Sequence, residues 1–125
     1  MTIREAAAAL KAEILHDEFA DTELAGAYTS DLLSDVMANA KDGGALITIQ
    51  AHKNTVAVAT LVEVSVIIVC NSRPIPEDFL TAAKDEGVAL LLTKENQFNV
   101  SGKLYALLNS TRSDNGADQT SKTTG

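Results

Sequence analysis

The chain has 125 residues, of which 46% are hydrophobic, and its formal net charge at pH 7 is −7. This length and composition fit one globular domain with its own core and leave little room for a second. The negative charge argues against nucleic acid and anionic membrane surfaces as main partners, because both attract cationic proteins. Aromatic residues make up only 4% of the chain and tryptophan is absent, so platforms for stacked bases are not expected either.

Cysteine use and the distribution of apolar residues indicate where the protein acts. Cys70 is the single cysteine, so no internal disulfide can form, as is usual in a reducing compartment. The first residues contain no apolar run of signal-peptide type. No segment reaches the roughly 18 uninterrupted apolar residues of a membrane span. The sequence therefore predicts a soluble, cytoplasmic protein.

The N-terminal third predicts one short helix followed by irregular chain with two strand candidates. Thr2–Glu5 has the capping-box form T-x-x-E and precedes an alanine-rich helix that ends near Lys11. Glu13–Leu15 and Glu23–Tyr28 are the strand candidates. Residues 1–42 hold nine acidic and three basic residues, so most of the negative charge lies in this third of the chain.

The stretch TSDLLSDVM, residues 29–37, predicts the start of a helix. Ser30 suits the N-cap, and Asp31 would follow in the first turn, where the helix dipole favours a carboxylate. On a helical wheel Asp31, Ser34 and Asp35 lie opposite an apolar face. A capped helix with a solvated face is favoured over a metal site, because both carboxylates come from one helix without a nearby histidine or cysteine. Phosphorylation of Ser30 or Ser34 stays open.

The remainder of the chain alternates apolar strands with helices. Buried strands are predicted at Ala45–Gln50, Val66–Cys70 and Val88–Leu92. Thr55–Val64 is apolar on nearly every side, and we assign it as a helix capped by Asn54, because a parallel crossover of this length is usually helical. Further helices are predicted from Pro76 to Gly87 and over Val100–Leu108.

This order predicts an α/β fold: a three-layer α/β/α domain with a mainly parallel sheet of about four to five strands. The domain is expected to cover residues 1–109. Residues 110–125 contain no large aliphatic side chain, so we expect a disordered polar tail there.

Two features of the sequence resemble catalytic motifs, an incomplete P-loop and a possible cysteine–histidine pair. Gly102 and Lys103 resemble the end of a P-loop, but Gln97 stands where the first glycine belongs and Leu104 where the serine or threonine belongs. ATP hydrolysis by this route is therefore not expected. Cys70 ends an apolar strand, where a buried structural thiol is usual, so a Cys70–His52 catalytic pair is the weakest hypothesis.

A distributed pattern suggests an anion site instead. Ligands of parallel α/β sheets bind beyond the carboxyl ends of the strands, and helices that begin there present free N–H groups. The three predicted loops at that edge each carry one cation, Lys53, Arg73 or Lys94, although ordinary surface cations would give the same pattern. The candidate ligand-binding residues are Ser30, Asp31, Gln50, His52, Lys53, Asn54, Asn71, Arg73, Thr93 and Lys94. No catalytic residue, metal ligand or cofactor is predicted.

The helix predicted at Thr55–Val64 also bears on assembly. It has no clearly polar face, and a helix that is apolar all round is buried on more than one side. A second copy of the chain would supply the additional burial, so a homodimer is predicted, with burial under the N-terminal third as the alternative.

Three segments together resemble the stand-alone DRTGG-domain proteins, which are similar to the N-terminal domain of HPr kinase/phosphorylase. They read YTSDLLSDVMANAKDGG, LITIQAHKNTVAVATL and VIIVCNSRPIPEDFLTAAKDEGVALLLTKENQFNVSGKLYALL. The resemblance covers Thr2–Asn109, while the namesake signature is degraded to DTELAGA at residues 21–27. The resemblance implies a three-layer α/β domain, often dimeric, that elsewhere accompanies kinase, phosphotransacetylase or CBS-containing pyrophosphatase domains as a regulatory part. Kinase activity would need a separate P-loop domain.

The sequence therefore predicts a non-catalytic regulatory module that dimerises and binds a small anionic ligand, such as a nucleotide, at the carboxyl edge of the sheet. The alternative is a protein-interaction adaptor without a small-molecule ligand, acting through the acidic N-terminal third and the Thr55–Val64 helix. An enzyme that uses His52 and Cys70 is the third hypothesis.

Overall fold

The structure, a computed structural model, describes residues 1–116, with side chains described as far as Ser110. Five helices and five strands lie in this part of the chain. The helices are α1 (Ile3–Leu10), α2 (Leu33–Asn39), α3 (Lys53–Leu61), α4 (Glu77–Glu86) and α5 (Gln97–Gly116). The strands are β1 (Glu13–Ile14), β2 (Ala27–Thr29), β3 (Ala45–Thr48), β4 (Val66–Val69) and β5 (Ala89–Leu92).

The strands form one sheet in the order β1-β5-β4-β3-β2. Strands β2 to β5 are parallel, whereas β1 pairs with β5 in the antiparallel direction. The predicted fold class, an α/β domain with a mainly parallel sheet, is confirmed. Helices connect the successive parallel strands, as parallel pairing requires.

Both faces of the central strands are covered, which is why these strands read as continuous apolar runs. Alternate side chains point to opposite faces. On one face Ile47, Ile68 and Leu91 pack with α1 and α5. On the other face Leu46 and Ile67 pack with α2, α3 and α4.

The predicted start of the first helix is confirmed. The Thr2 hydroxyl accepts a hydrogen bond from the backbone N–H of Glu5, and the Glu5 carboxylate accepts one from the N–H of Thr2. This reciprocal capping satisfies two donors that a helix start otherwise leaves free. Helix α1 ends where Lys11 adopts the left-handed conformation, with φ of 54°.

Two predicted boundaries in the first half of the chain are wrong. The second strand is Ala27–Thr29 rather than Glu23–Tyr28, and Glu23 instead forms an isolated bridge with Thr2. The segment predicted as a helix at Thr55–Val64 is helical only as far as Leu61, and α3 begins at Lys53, where His52 and not Asn54 is the cap.

The last helix is longer than the sequence predicted. It begins at Gln97 and continues to Gly116, whereas the prediction placed it at Val100–Leu108. The predicted domain boundary at Asn109 therefore falls inside α5. The rest of the predicted disordered tail, residues 117–125, lies outside the described residues.

Candidate functional site

Asp31 joins three of the segments that meet at the carboxyl edge of the sheet. It follows β2, and its Oδ1 atom accepts hydrogen bonds from Thr48 Oγ1 at 2.8 Å and from the backbone N–H of Ile49 at 2.9 Å. Gln97 Nε2, at the start of α5, donates a third bond at 3.0 Å. Asp31 therefore fixes the end of β3 and the start of α5 against the β2–α2 loop.

The electrostatic surroundings of Asp31 keep it ionised. Partial burial alone would raise its pKa, but the hydrogen bonds from Ile49, Thr48 and Gln97 and the nearby positive charge of Arg73 together lower it below the ordinary value of 3.8. All three hydrogen bonds end on Oδ1. Within the described residues Oδ2 accepts no hydrogen bond, so this oxygen remains available to a donor from a ligand.

The predicted helix cap at Ser30 is wrong. Helix α2 begins at Leu33 with Leu32 as N-cap, and no side chain caps it. The Ser30 hydroxyl instead accepts the N–H of Leu32 at 3.2 Å in a tight local turn. Asp31 consequently lies before the helix and is not in its first turn. The physical reason is that Asp31 satisfies donors from distant segments, which requires an extended chain between β2 and α2.

The apolar face predicted for α2, formed by Leu32, Leu33, Val36 and Met37, is buried only in part. Leu32 and Met37 are 64% and 47% exposed, and Val36 is the residue that is fully buried. Asp35 accepts a hydrogen bond from the hydroxyl of Tyr28 at 2.8 Å, which ties α2 to β2. Hydrogen bonds from Ser30, Tyr28 and Asn39 lower the pKa of Asp35. The carboxylates of Asp31 and Asp35 therefore bind groups of different strands and do not form a pair.

The loop after β4 holds Arg73 at the surface. Asn71 and Ser72 both adopt the left-handed conformation, with φ of 64° and 50°. Their N–H groups donate to the carbonyls of Glu95 and Thr93 at 2.9 and 3.0 Å, which fastens this loop to the one after β5. Two consecutive non-glycine residues in this conformation carry strain and persist only where surrounding contacts hold them. The exposed Arg73 side chain thus extends from a rigid loop.

The remaining predicted residues of the β3–α3 loop have mainly local roles. His52 Nδ1 accepts the N–H of Asn54 at 3.0 Å and so caps α3. The carbonyl of Gln50 accepts the hydroxyl of Thr55 at 2.9 Å. Lys53 and Asn54 line a groove of about 330 Å³ between α3 and α4. Among the three predicted cations, Arg73 is therefore the one whose charge acts on Asp31.

Residues of the loop after β5 complete the edge. Thr93 is buried; its N–H donates to the carbonyl of Val69 at 2.9 Å, and its hydroxyl accepts the N–H of Glu95. Lys94 is exposed and has no ion pair with any described residue. The edge thus has a hydrogen-bonded floor, with Arg73 and Lys94 at the surface.

The structure gives little support to the Cys70–His52 hypothesis. Burial, and secondly the negative charge of Asp31, raise the pKa of the Cys70 thiol to about 11. A thiol with this pKa stays protonated at neutral pH, and the thiol is a poor nucleophile compared with the thiolate. His52 is exposed and is engaged in capping α3.

No cluster of three or more potential metal-binding side chains occurs among the described residues. Within residues 1–116, no helix has the length and apolar character needed to cross a membrane.

Sequence reasoning missed three residues that build the edge. Thr48 and Gln97 both donate to Asp31, and Tyr28 donates to Asp35. Thr48 carried a usable signal, because it is a polar residue in an otherwise apolar buried strand. Gln97 carried none, since 66 residues of chain separate it from its acceptor.

Comparison with solved structures shows a likeness at the level of the fold. The fold resembles that of the CBS and DRTGG domains of the regulatory region of Clostridium perfringens pyrophosphatase, solved in complex with its activator, diadenosine tetraphosphate. The TM-score is 0.66 at 15% sequence identity, and the match covers 82% of this chain and 45% of the pyrophosphatase chain. This chain thus spans less than half of the solved chain, and the likeness supports the DRTGG resemblance at the level of the fold. No protein-family model and no curated protein matches the sequence.

Proposed function

We propose that this domain is a non-catalytic regulatory module that forms a homodimer and binds a small anionic ligand, specifically a nucleotide, at the carboxyl edge of the sheet. The observation that carries the proposal is the exposed Arg73, held on a rigid loop within electrostatic reach of Asp31. A guanidinium presents a planar fork of donors that suits phosphate oxygens. The edge itself is where open α/β sheets bind ligands.

The pairing of a cation with a carboxylate favours a nucleotide over a bare anion. Phosphate would bind Arg73, and the unused Oδ2 atom of Asp31 would accept a hydrogen bond from a hydroxyl group of the same ligand. Inorganic phosphate could offer Asp31 only a P–OH group, which is held beside the anion's own negative charge. The fold match to a regulatory region that was solved with a dinucleotide activator supports a nucleotide as the first ligand to test.

Two features of the sequence and structure support the non-catalytic part of this proposal. The P-loop pattern is incomplete at Gln97 and Leu104, and the Cys70 thiol has a pKa of about 11. Action in the cytoplasm stays a prediction from the single cysteine.

Binding can be measured by titration calorimetry with AMP, ATP, diadenosine tetraphosphate and inorganic phosphate. At least one nucleotide should bind, and Arg73→Ala should raise its dissociation constant about tenfold or more, because hydrogen bonds to charged groups contribute about 1.5–3 kcal/mol. Lys84→Ala, which removes an exposed cation from the far end of α4, is the matched control and should bind like the wild type. Equal losses in the two variants, or no binding by any nucleotide, would exclude the site.

A protein-interaction adaptor without a ligand is the second candidate. Leu61 is 68% exposed on α3, and Ala57 and Thr60 are exposed with it at helical spacing. A partner protein whose binding survives Arg73→Ala and fails with Leu61→Glu would favour the adaptor.

A further inference from the structure

Strand β2 leaves one edge of the sheet open. It is the last strand in the sheet order and pairs with β3 alone. Gly26 O accepts the N–H of Ala45 at 3.0 Å, and Ser30 N–H donates to Ile47 O at 3.2 Å. Because hydrogen-bonding directions alternate along a strand, the N–H and C=O groups of the exposed Ala27 and Thr29 point away from β3. They have no backbone partner among the described residues.

Helix α5 borders this open edge with an exposed aromatic stripe. The hydroxyl of Thr29 lies 2.7 Å from that of Ser101, which places α5 directly beside the edge strand. Between them runs a groove of about 360 Å³ that Tyr105 lines. Phe98 and Tyr105 are 84% and 73% exposed. They are seven residues apart, so they lie on the same side of the helix.

The charge distribution distinguishes this surface from the rest of the protein. Among the side chains that the structure describes, no acidic residue lines the groove, and Lys41 is the one charged residue that does. The chain as a whole carries a net charge of −7. Two copies can therefore approach each other here without opposing carboxylates, which would repel across an interface. Three other grooves between described residues each include an acidic side chain, such as Glu86 in the groove between α3 and α4.

We propose that a second copy of this chain docks on the open edge of β2. The two β2 strands pair in the antiparallel direction about a twofold axis beside Tyr28, so that Ala27 of each copy bonds to the other's Thr29. The outward N–H and C=O groups of both strands are then satisfied, and the two sheets become one continuous sheet. This inference gives the proposed homodimer an interface at β2 in place of the α3 surface on which the sequence prediction rested, whereas ligand binding at Arg73 does not depend on it.

The spacing of the elements fits this arrangement. Neighbouring strands in a sheet lie about 4.8 Å apart. Helix α5 contacts both β2 and β3; with its axis over the space between these strands, it would lie about 5 Å from the twofold axis. The two α5 helices are then about 10 Å apart, close to the usual 8–10 Å of packed helices. Phe98 and Tyr105 become buried between them. Gly102 lies between these aromatics, and a Cβ atom there would contact nothing within 4 Å, so the helices have room to approach.

Two substitutions on this surface test the dimer by light scattering at micromolar concentration. Tyr105→Glu adds a charge to the stripe, and Ala27→Pro removes an outward-pointing N–H without removing a bond to β3. The wild type should have the mass of a dimer, and both variants should weaken dimerisation at least about tenfold. Circular dichroism with urea denaturation will establish that both variants fold. Leu61→Glu, on the exposed face of α3, is the matched control and should remain dimeric.

Amide hydrogen exchange followed by NMR gives an independent readout. The amides of Ala27 and Thr29 should become protected as protein concentration rises, whereas that of Tyr28, which points towards β3, should be protected at every concentration. Fast exchange at Ala27 and Thr29 in a wild-type dimer, or dissociation by Leu61→Glu alone, would place the interface elsewhere and overturn the inference. A monomeric wild type would overturn both the inference and the proposed homodimer. The calorimetric test of Arg73 would still decide ligand binding.

Discussion

The two outer strands of the sheet differ in their protection against pairing with another chain. Strand β1 has two residues, carries the exposed Glu13, and is soon followed by Asp17 and Glu18. Short length and charge are common ways to keep an edge strand from associating. Strand β2, Ala27–Thr29, is uncharged and has an aromatic helix face beside it. Short length and acidic residues thus protect one edge, whereas the other, which the proposed dimer uses, lacks such protection.

The chain segments that follow the two outer strands, β1 and β2, are held in place by hydrogen bonds to different chemical groups. At the β1 end, the buried imidazole of His16 donates from Nε2 to the carbonyl of Val88 at 2.8 Å and accepts the N–H of Glu18 at Nδ1. At the β2 end, the carboxylates of Asp31 and Asp35 hold the loop and helix that follow the strand. One end therefore depends on a histidine ring and the other on ionised carboxylates, so each can be weakened separately.

The largest effect is expected at the β1 end. His16→Ala should lower the free energy of unfolding by about 3 kcal/mol, because it removes a buried ring and leaves the carbonyl of Val88 without its donor. Urea denaturation measures the loss. His52→Ala, which removes only the cap of α3, is the matched control and should cost about 1 kcal/mol. Equal costs for the two histidines would contradict the fastening role of His16.

A smaller loss is expected from the carboxylate at the β2 end. Asp31→Ala should cost about 2 kcal/mol, because three donors from Thr48, Ile49 and Gln97 lose their common acceptor. Asp31→Asn keeps an oxygen in the same place and should cost less. Denaturation of both variants beside the wild type measures the difference. If asparagine and alanine are equally destabilising, the hydrogen bonds to Oδ1 do not hold the edge together.

The stability contributed by Asp31 should depend on pH in a defined direction. Its pKa in the folded protein is lowered from the ordinary value of 3.8. The stabilisation is therefore fully present above the unfolded pKa and is lost as pH falls through the lowered folded value. Unfolding free energies of wild type and Asp31→Asn, measured between pH 7 and pH 2, should converge at the acid end. A gap that is constant over this range would show that the charge of Asp31 adds nothing.

The smallest effect is expected beside the open edge. In the Tyr105→Glu background, which isolates the protomer, Gly102→Ala should stabilise the protein by about 0.8 kcal/mol through helix propensity alone. Gly44→Ala is the contrasting substitution, since its Cβ would lie 2.9 Å from the carbonyl oxygen of Gly26 and should destabilise the protein. Thermal unfolding of both variants will show opposite shifts, and a destabilising Gly102→Ala would mean that α5 is packed within the protomer.

Much of the fold could be predicted because its signals are local. The apolar runs that became β3, β4 and β5, the capping box at Thr2 and the glycine that ends α4 at Gly87 each depend on residues close in the chain. The edge strand β2 was misplaced by several residues. Its position depends on pairing with Ala45–Ile47, and no pattern within Glu23–Tyr28 reports that pairing.

The sequence by itself determined the fold class, the acidic character and the loops that meet at the carboxyl edge, because hydrophobic periodicity and charge are properties of short segments. Only the tertiary structure decided the role of Asp31. A local pattern placed it in a helix turn, whereas donors 17, 18 and 66 residues away draw it out of the helix. The open edge of β2 was equally a tertiary outcome, because a strand is at an edge only when no other segment of the fold pairs with it.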